Sequence, residues 1–299
     1  NSTYVMQEGW NNMAFKAGVL YVMKPISQIL ETTTLPDYVA LAKIIRVTAM
    51  SRVSDIYGPV PYSKAMQGGD FVEYDSQEFV YEQFFTELEE SVNALTTFVD
   101  SDPAYSDGRI RSFDQMCEGD YTRWIRFANS LRLRLAMRIV KVNPTLAKTI
   151  AEAAVGHKYG VLTSADKNIE VKTEGLLNPL QEIARSYRDI CVGASFTSVM
   201  NGYEDPRMAK MILPVGWSGS EGDAENGDIL DAAGKPLGQI GKYVGIRQGA
   251  LVDKAKYMMY SIVNMEKNDK ATTIHPLPVM KVAEMYFLRA EGALRGWNM

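Results

Sequence analysis

The sequence predicts a mainly α-helical fold whose helices pack against a loop-rich lobe with a few short strands. Segments within 1–156 and 276–299 repeat apolar residues at the three- and four-residue spacing of a helix face. Between about 157 and 275 this periodicity fades, and glycines, aromatic residues and short apolar runs replace it. We expect a single domain over 1–299, because 299 residues can bury a large core. We also expect this domain to be cut at both ends.

The first helix is predicted over Trp10 to Leu30, and Pro25 kinks it or divides it into two shorter helices. We expect Trp10 to lie in the core. The residues on or near the same face are Trp10, Met13, Ala17, Leu20 and Tyr21.

The next helix organises the chain; it begins at Pro36-Asp37 and cannot continue past Gly58-Pro59. Its predicted apolar face comprises Leu41, Ile44, Ile45, Thr48, Ala49, Val53 and Ile56. The other positions carry Lys43, Arg46, Ser51 and Arg52. Pro61 fixes Val60 in an extended conformation, so the helix leads into a rigid aromatic turn from Tyr57 to Tyr62.

Three further helical segments follow the loop at 59–75, which contains a turn at 67–70. The first begins with Asp75 or Ser76 as its N-cap and continues to Leu95. The next, Tyr121–Val142, has an apolar stripe that includes Trp124, and its arginines are predicted to form ion pairs with packed stems. A return helix covers 146–155.

The last helix is predicted over Val279–Arg295, with Gly296 as its C-terminal cap. The face that we expect it to share comprises Ala283, Tyr286, Ala290, Ala293 and Leu294. In the loop-rich lobe, 229–237 is typical of a small hairpin, and 242–246 of a short strand or extended segment.

Four predicted helix starts carry an aromatic residue followed four positions later by alanine. This spacing occurs on the first helix of tetratricopeptide hairpins, where the small residue lets the second helix approach. The count is close to chance, and no regular 34-residue period accompanies it. The pairs are Trp10/Ala14, Tyr38/Ala42, Trp124/Ala128 and Tyr286/Ala290.

Composition and motifs restrict the chemistry. A net charge of −4 gives no basic surface for nucleic acid. No phosphate-binding loop, dinucleotide fingerprint, metalloprotease helix or nucleophile elbow occurs, so no cofactor or metal site is predicted. Cys117 and Cys191 are too few for a disulfide framework, although one bridge stays open. The acidic segment 221–228 lacks the calcium register of an EF-hand, which favours an exposed turn.

Four segments in order resemble one family. They are RVSDIYGPVPYSKA at 52–65, YDSQEFVYEQFFTELEESVNAL at 74–95, WIRFANSLRLRLAMRI at 124–139 and KVAEMYFLRAEGALRGWNM at 281–299. Together they are similar to the SusD/RagB-like family of outer-membrane nutrient-binding lipoproteins of Bacteroidetes. The segments span nearly the whole chain.

The resemblance implies helical hairpins of the tetratricopeptide type and binding of an oligosaccharide or another nutrient without catalysis. It also implies a partner, a SusC-like TonB-dependent transporter that the protein caps as a lid. Family precursors carry a signal sequence and a lipidated N-terminal cysteine. Neither occurs in this chain, so location at the outer-membrane surface is an expectation from the resemblance alone.

A sugar-binding surface needs exposed aromatic rings beside hydrogen-bonding side chains, and loops are expected to supply them. Trp217 between Gly216 and Gly219 is the first candidate. The other candidates are Asp70, Phe71, Tyr74, Tyr187, Arg188 and Tyr203. Each candidate is also compatible with a packing role.

Two other functions remain open. A helical glycoside hydrolase would need two carboxylates flanking the scissile bond, and the acidic loops could hold them. A tetratricopeptide scaffold would bind peptides rather than sugars. Release of reducing ends from glycans separates the first function from simple binding, and peptide affinity separates the second.

Overall fold

The structure is a computed structural model. Its described residues form parts of two compact units, a helical unit spanning Gln7–Val171 and Pro278–Met299, and a second unit spanning Lys172–Leu277. The residues that the structure describes are 8–101, 110–172, 178–186, 190–215, 228–230, 236–239, 242–250, 260–264 and 276–299.

The described helices of the helical unit follow the order that the sequence predicts. A π-helical turn, Gly18–Met23, separates the second helix from the third. The helices are α1 (Glu8–Asn11), α2 (Met13–Ala17), α3 (Lys24–Thr32), α4 (Pro36–Tyr57), α5 (Gln77–Ser101), α6 (Tyr121–Arg138), α7 (Pro144–Gly156) and the last helix of the unit (Val282–Leu294). Strands β1 (Ile169–Val171) and β6 (Leu277–Met280) pair with each other.

Helices α4 to α7 form the core of this unit. Helix α4 packs against α5, α5 against α6, and α6 against α7, as in successive helical hairpins. Their large side chains are fully buried between them, among them Ile44, Phe84, Leu88, Phe127 and Leu131. The predicted mainly helical class with tetratricopeptide-like hairpins is therefore confirmed.

The predicted orientation of α4 is only partly correct. Leu41, Ile44 and Val53 are buried, but Ile45 and Ile56 are 40% and 59% exposed. The apolar spacing assigns Ser51 to the polar side of the helix, but its side chain is buried. Helix α4 is covered from more than one direction, by α5 and by the π-helical turn, so a single apolar stripe does not define its buried surface.

The predicted core face of the first helical segment is wrong. Trp10 and Tyr21 are 70% and 78% exposed, and Ala17 is exposed as well. The π-helical turn widens the helix at Gly18, so the buried residues do not keep the 3.6-residue period. Gly18 itself lies against Val53, where an added Cβ would be 2.8 Å from the valine Cγ2.

Most of the α6 arginines form the predicted ion pairs, whereas Arg123 donates to the Asn168 carbonyl at 2.7 Å. Arg134 binds Glu284 through two bonds of 2.6 Å, and Arg126 donates to Asp166 at 2.7 Å. The buried Arg132 donates to Glu89. The helix ends four residues earlier than predicted, at Arg138, while Asn143 caps α7 by accepting the Leu146 N–H.

The last helix of the helical unit (Val282–Leu294) is capped as predicted, but it buries a different set of side chains from the predicted one. Gly296 has a φ of 77°, and the Trp297 N–H donates to the Gly292 carbonyl. These are the features of a Schellman cap. The predicted shared face is exposed, with Leu294 at 90%, and the buried residues are Met285 and Gly292.

The aromatic–alanine pairs differ in burial. Trp124 and Ala128 are both buried, as the tetratricopeptide pattern requires, and Ala42 is buried beside a half-buried Tyr38. Trp10 and Ala290 are exposed. The pattern therefore marks packed helix pairs in α4 and α6 only.

The second unit contains short elements. Its helices include α8 (Pro179–Gln181), α9 (Ala194–Gly202) and α10 (Met208–Met211), and the nine-residue α9 was not predicted. Its strands are β2 (Ile212–Leu213), β3 (Asp228–Leu230), β4 (Pro236–Gln239) and β5 (Ile262–Val263).

Two antiparallel pairs form in the second unit. Ile212 lies opposite Val263 in the β2–β5 pair. Ile229 lies opposite Gly238 in the β3–β4 pair, which confirms the hairpin. Ile246 makes an isolated bridge to Gly193, in agreement with an extended segment. Cys117 and Cys191 are both free thiols.

Candidate functional site

The loop between α4 and α5 is a braced structure. Helix α4 ends where Gly58 adopts a φ of 78°, a value that glycine tolerates better than other residues. Val60 and Asp75 then exchange backbone hydrogen bonds of 3.3 and 3.0 Å across the base of the loop. At the loop tip Gly68 and Gly69 have positive φ values, which confirms the predicted turn. We call residues 58–76 the aromatic loop.

The Asp75 carboxylate ties the two arms of the aromatic loop together. It accepts the backbone N–H groups of Tyr62 at 2.9 Å and Ser63 at 2.7 Å, and the Ser63 hydroxyl at 2.8 Å. Desolvation raises the pKa of Asp75, but the hydrogen bonds from Ser63 and Tyr62 outweigh it, so the pKa is lowered. Asp75 is therefore ionised at neutral pH.

A buried ion pair anchors the first arm of the loop. Arg46 on α4 binds Glu87 on α5 through two contacts of 3.0 and 2.8 Å. The Tyr62 hydroxyl donates to the same carboxylate at 2.8 Å, and the Arg46 guanidinium lies 5.3 Å from the Tyr62 ring centroid. Burial raises the pKa of Glu87. Since Val60 and Tyr62 are both buried, this arm is fixed to the core.

Aromatic rings from α2, the end of α4 and the aromatic loop meet at one place. Phe15 stacks on Tyr74 with a centroid separation of 6.2 Å, and Tyr57 meets Phe15 edge-on at 5.6 Å. The Tyr57 hydroxyl donates to the carbonyl of Asn11, the residue after Trp10. Trp10 and Tyr74 are 70% and 61% exposed. We call Phe15, Tyr57 and Tyr74, together with the exposed Trp10 that precedes Asn11 in the chain, the aromatic platform.

Polar groups border the aromatic platform. Asn11 and Asn12 are exposed at its α1 end and can both donate and accept hydrogen bonds. The aromatic loop adds exposed Asp70, while its Lys64 and Glu73 pair with each other. Ring faces beside amide and carboxylate groups suit a ligand with apolar C–H faces and hydroxyl edges.

The predicted site residues fall into three groups. Asp70, Phe71 and Tyr74 lie in the aromatic loop, and Phe71 is 82% exposed. Tyr203 follows α9 in the second unit and is 84% exposed. Trp217, Tyr187 and Arg188 lie outside the described residues. Sequence reasoning missed Trp10, Phe15 and Tyr57, although the polar neighbours of Trp10, among them Asn11 and Asn12, could have indicated a surface position.

Two concave regions occur elsewhere in the helical unit. One, of about 670 Å³, is lined by Tyr81, Glu78, Glu82 and the ion pair of Asp55 with Arg138. The other, of about 620 Å³, is mainly apolar and includes Ile29, Ile45 and Phe113. In the first region Asp55 also accepts the Tyr81 hydroxyl at 2.5 Å, so this carboxylate is already engaged by two neighbours.

Among the described residues no group of histidine, cysteine, aspartate and glutamate is arranged to hold a metal ion. No helix in the described part of the chain is long and apolar enough to cross a membrane.

Successive helical hairpins that carry an exposed aromatic platform define a helical protein suited to surface binding of a ligand. The comparisons with known proteins agree with this class. The family model for SusD and RagB outer-membrane lipoproteins matches residues 1–299. The chain therefore belongs to the SusD-like family, which confirms the resemblance seen in the sequence.

Solved structures of SusD homologues are similar over the whole chain. A chitin-binding SusD homologue from Flavobacterium johnsoniae has 36% identity and a TM-score of 0.84, with 100% of this chain and 57% of that chain covered. A homologue from Bacteroides vulgatus has 32% identity and a TM-score of 0.81, with 100% and 56% covered. This chain thus spans a little over half the length of these relatives. No curated protein matches it.

Proposed function

We propose that the protein binds an oligosaccharide without cleaving it, with the sugar rings stacked on the aromatic platform. The observation that supports this most directly is the parallel pair of Phe15 and Tyr74, with Trp10 exposed in the segment that Tyr57 contacts through Asn11. Exposed apolar side chains gathered into a patch are typical of interaction sites. The chitin-binding relative from Flavobacterium johnsoniae makes oligomers of N-acetylglucosamine the first ligands to test.

Calorimetric titration with chitohexaose, cellohexaose and maltohexaose tests this function. Trp10→Ala and Tyr74→Ala should each weaken the best of these ligands about 5- to 150-fold, because stacking on one aromatic ring contributes roughly 1–3 kcal/mol. Phe287→Ala is the matched control, since Phe287 is 75% exposed on a helix outside the platform. Equal affinity in all three variants would place the ligand elsewhere.

Binding without cleavage is part of the proposal. Two of the acids in the aromatic loop are already engaged, since Asp75 braces the loop and Glu73 pairs with Lys64. A glycosidase needs two carboxylates across the bond that it breaks. Overnight incubation with the three hexaoses should release no new reducing ends. Release that is abolished by changing one carboxylate would favour the hydrolase instead.

The second unit carries candidate ligand contacts of its own, which we propose separately from the aromatic platform. We place Tyr203 among the ligand contacts because its ring is 84% exposed at the end of α9. The amide of Asn201 donates to the Tyr243 carbonyl at 3.1 Å, which fixes this helix end. Trp217, Tyr187, Arg188, Phe71 and Asp70 complete the proposed set, and single alanine variants measured in the same titration test each of them.

Delivery to a transporter is the final part of the proposal. The family consists of outer-membrane lipoproteins, which supports a location at the outer-membrane surface through an N-terminal lipid. There the protein would pass its ligand to a SusC-like TonB-dependent transporter. Immobilised protein should retain such a transporter from detergent-solubilised outer membranes. Retention of unrelated porins to the same extent would argue against a specific partner.

A further inference from the structure

Tyr74 is exposed but has a defined orientation, and burial cannot account for this. With 61% of its surface open, Tyr74 is held by its contact with Phe15 and by the chain on either side. The residue that follows it is Asp75. How Asp75 is fixed therefore decides where the Tyr74 ring lies.

Every hydrogen bond found for Asp75 reaches the opposite arm of the aromatic loop. Its backbone pairs with Val60, and its carboxylate accepts two backbone N–H groups and one hydroxyl from Tyr62 and Ser63. That arm is immobilised in turn, since Tyr62 is buried and donates to Glu87. A continuous chain of contacts thus runs from the helical core to the backbone beside Tyr74.

Both backbone N–H groups donate to one oxygen of the Asp75 carboxylate, and the Ser63 hydroxyl donates to the other. An amide in the same position would present a neutral oxygen to the two N–H groups and its NH₂ to the hydroxyl, which would then have to accept instead of donate. Hydrogen bonds to a carboxylate are also stronger than those to a neutral acceptor. The nearest charge on the same loop is Lys64, which is itself paired with Glu73.

We propose that Asp75 is a positioning residue for ligand binding: by bracing the aromatic loop, it orients Tyr74 within the aromatic platform. This inference rests on the proposed oligosaccharide function. It predicts that removing the charge of Asp75 weakens sugar binding, although Asp75 makes no contact with the ligand.

The test compares Asp75→Asn with Asp166→Asn. Asp166 is a matched control because it also braces a loop, accepting the Thr163 N–H at 2.8 Å and hydroxyl at 3.1 Å, and it contacts no residue of the platform or the aromatic loop. Chitohexaose affinity should fall about tenfold in Asp75→Asn, the size of loss expected when one stacking ring no longer lies against the ligand. It should stay within twofold of wild type in Asp166→Asn.

A second measurement separates this inference from the proposed function. With tyrosines labelled by fluorine, the Tyr74 resonance of the free protein should shift and broaden in Asp75→Asn and stay unchanged in Asp166→Asn. An unchanged resonance would overturn the positioning role whatever the sugar does. A displaced ring with full affinity would overturn it too. If wild type itself binds no hexaose while the resonance shifts as expected, the proposed function fails and the orientation of Tyr74 by Asp75 stands.

Discussion

The ring of Tyr74 lies nearly parallel to the ring of Phe15, with an interplanar angle of 13°. Phe15 meets Tyr57 at 87° on another side. One half-buried phenylalanine therefore touches both Tyr57 at the end of α4 and Tyr74 in the aromatic loop, two residues that lie 17 positions apart in the sequence. This relationship makes Phe15 the organising side chain of the platform, although it is not its most exposed ring.

Phe15→Leu should weaken chitohexaose binding about three- to tenfold, because an aromatic pair contributes roughly 0.5–1.5 kcal/mol beyond its buried area. The loss arises from a less well-oriented Tyr74. Phe98→Leu is the matched control: Phe98 meets Tyr121 edge-on at 5.3 Å in the core and lies outside the platform. Calorimetry should find the affinity unchanged in the control while thermal stability falls in both. The same loss of affinity in both variants would contradict this account.

The sequence predicted several helix ends and ion pairs well. It predicted the buried face poorly where a helix packs against several neighbours. The C-terminal end of α4 and the start of α5 followed from Gly58, Pro59 and the polar residues at 75–77, because local backbone chemistry fixes them, whereas α5 continues to Ser101, past the predicted Leu95. The ion pairs of the α6 arginines followed from their spread around the helix. Which side chains of α4 are buried was harder to predict. Ile45 is exposed while Ser51 is buried, because the helix is covered from more than one direction.

The candidate site was only half accessible from the sequence. Phe71 and Tyr74 could be found as aromatic residues in a polar loop. Trp10 was harder to find, because its spacing to Met13 and Ala17 predicts a core face, whereas all three residues are exposed. The bonds of Asp75 to Tyr62 and Ser63 span more than ten residues, so no local pattern encodes them.

The buried pair of Arg46 and Glu87 predicts a non-additive effect on stability. Arg46→Met alone should lower the free energy of unfolding by about 3–5 kcal/mol, because it leaves the buried Glu87 carboxylate without its cation, and Glu87→Met should cost less because Arg46 is only half-buried. The double variant should recover much of that loss, since neither charge then remains. Urea unfolding of all four proteins measures the coupling. Strictly additive losses would mean that the two side chains do not act as a pair.

Gly119 predicts a strained position. Its φ is 81°, and an added Cβ would lie 2.8 Å from the Cα of Arg111. Gly119→Ala should therefore destabilise the protein by at least about 1–2 kcal/mol, the cost of the left-handed conformation alone. Gly156→Ala is the control, because no atom lies within 4 Å of its added Cβ and it sits at the end of α7. The control should be neutral or slightly stabilised in thermal denaturation, and a fall equal to that of Gly119→Ala would refute the steric argument.

The brace at Asp166 predicts how stability changes in acid. Burial raises the pKa of this carboxyl, but hydrogen bonds from Thr163 and Arg126 outweigh it, so the pKa lies below its ordinary value. The folded protein therefore holds the proton less readily than the unfolded chain does, and the contribution of Asp166 is complete above the ordinary aspartate range. It is lost as the pH falls through the lowered value. Asp166→Asn should accordingly be less stable than wild type at pH 7, and the difference between their urea midpoints should shrink between pH 5 and pH 2, a window of about three units around the aspartate range. A difference that stays constant over that window would mean that the charge of Asp166 contributes nothing, and that its hydrogen bonds alone brace the loop.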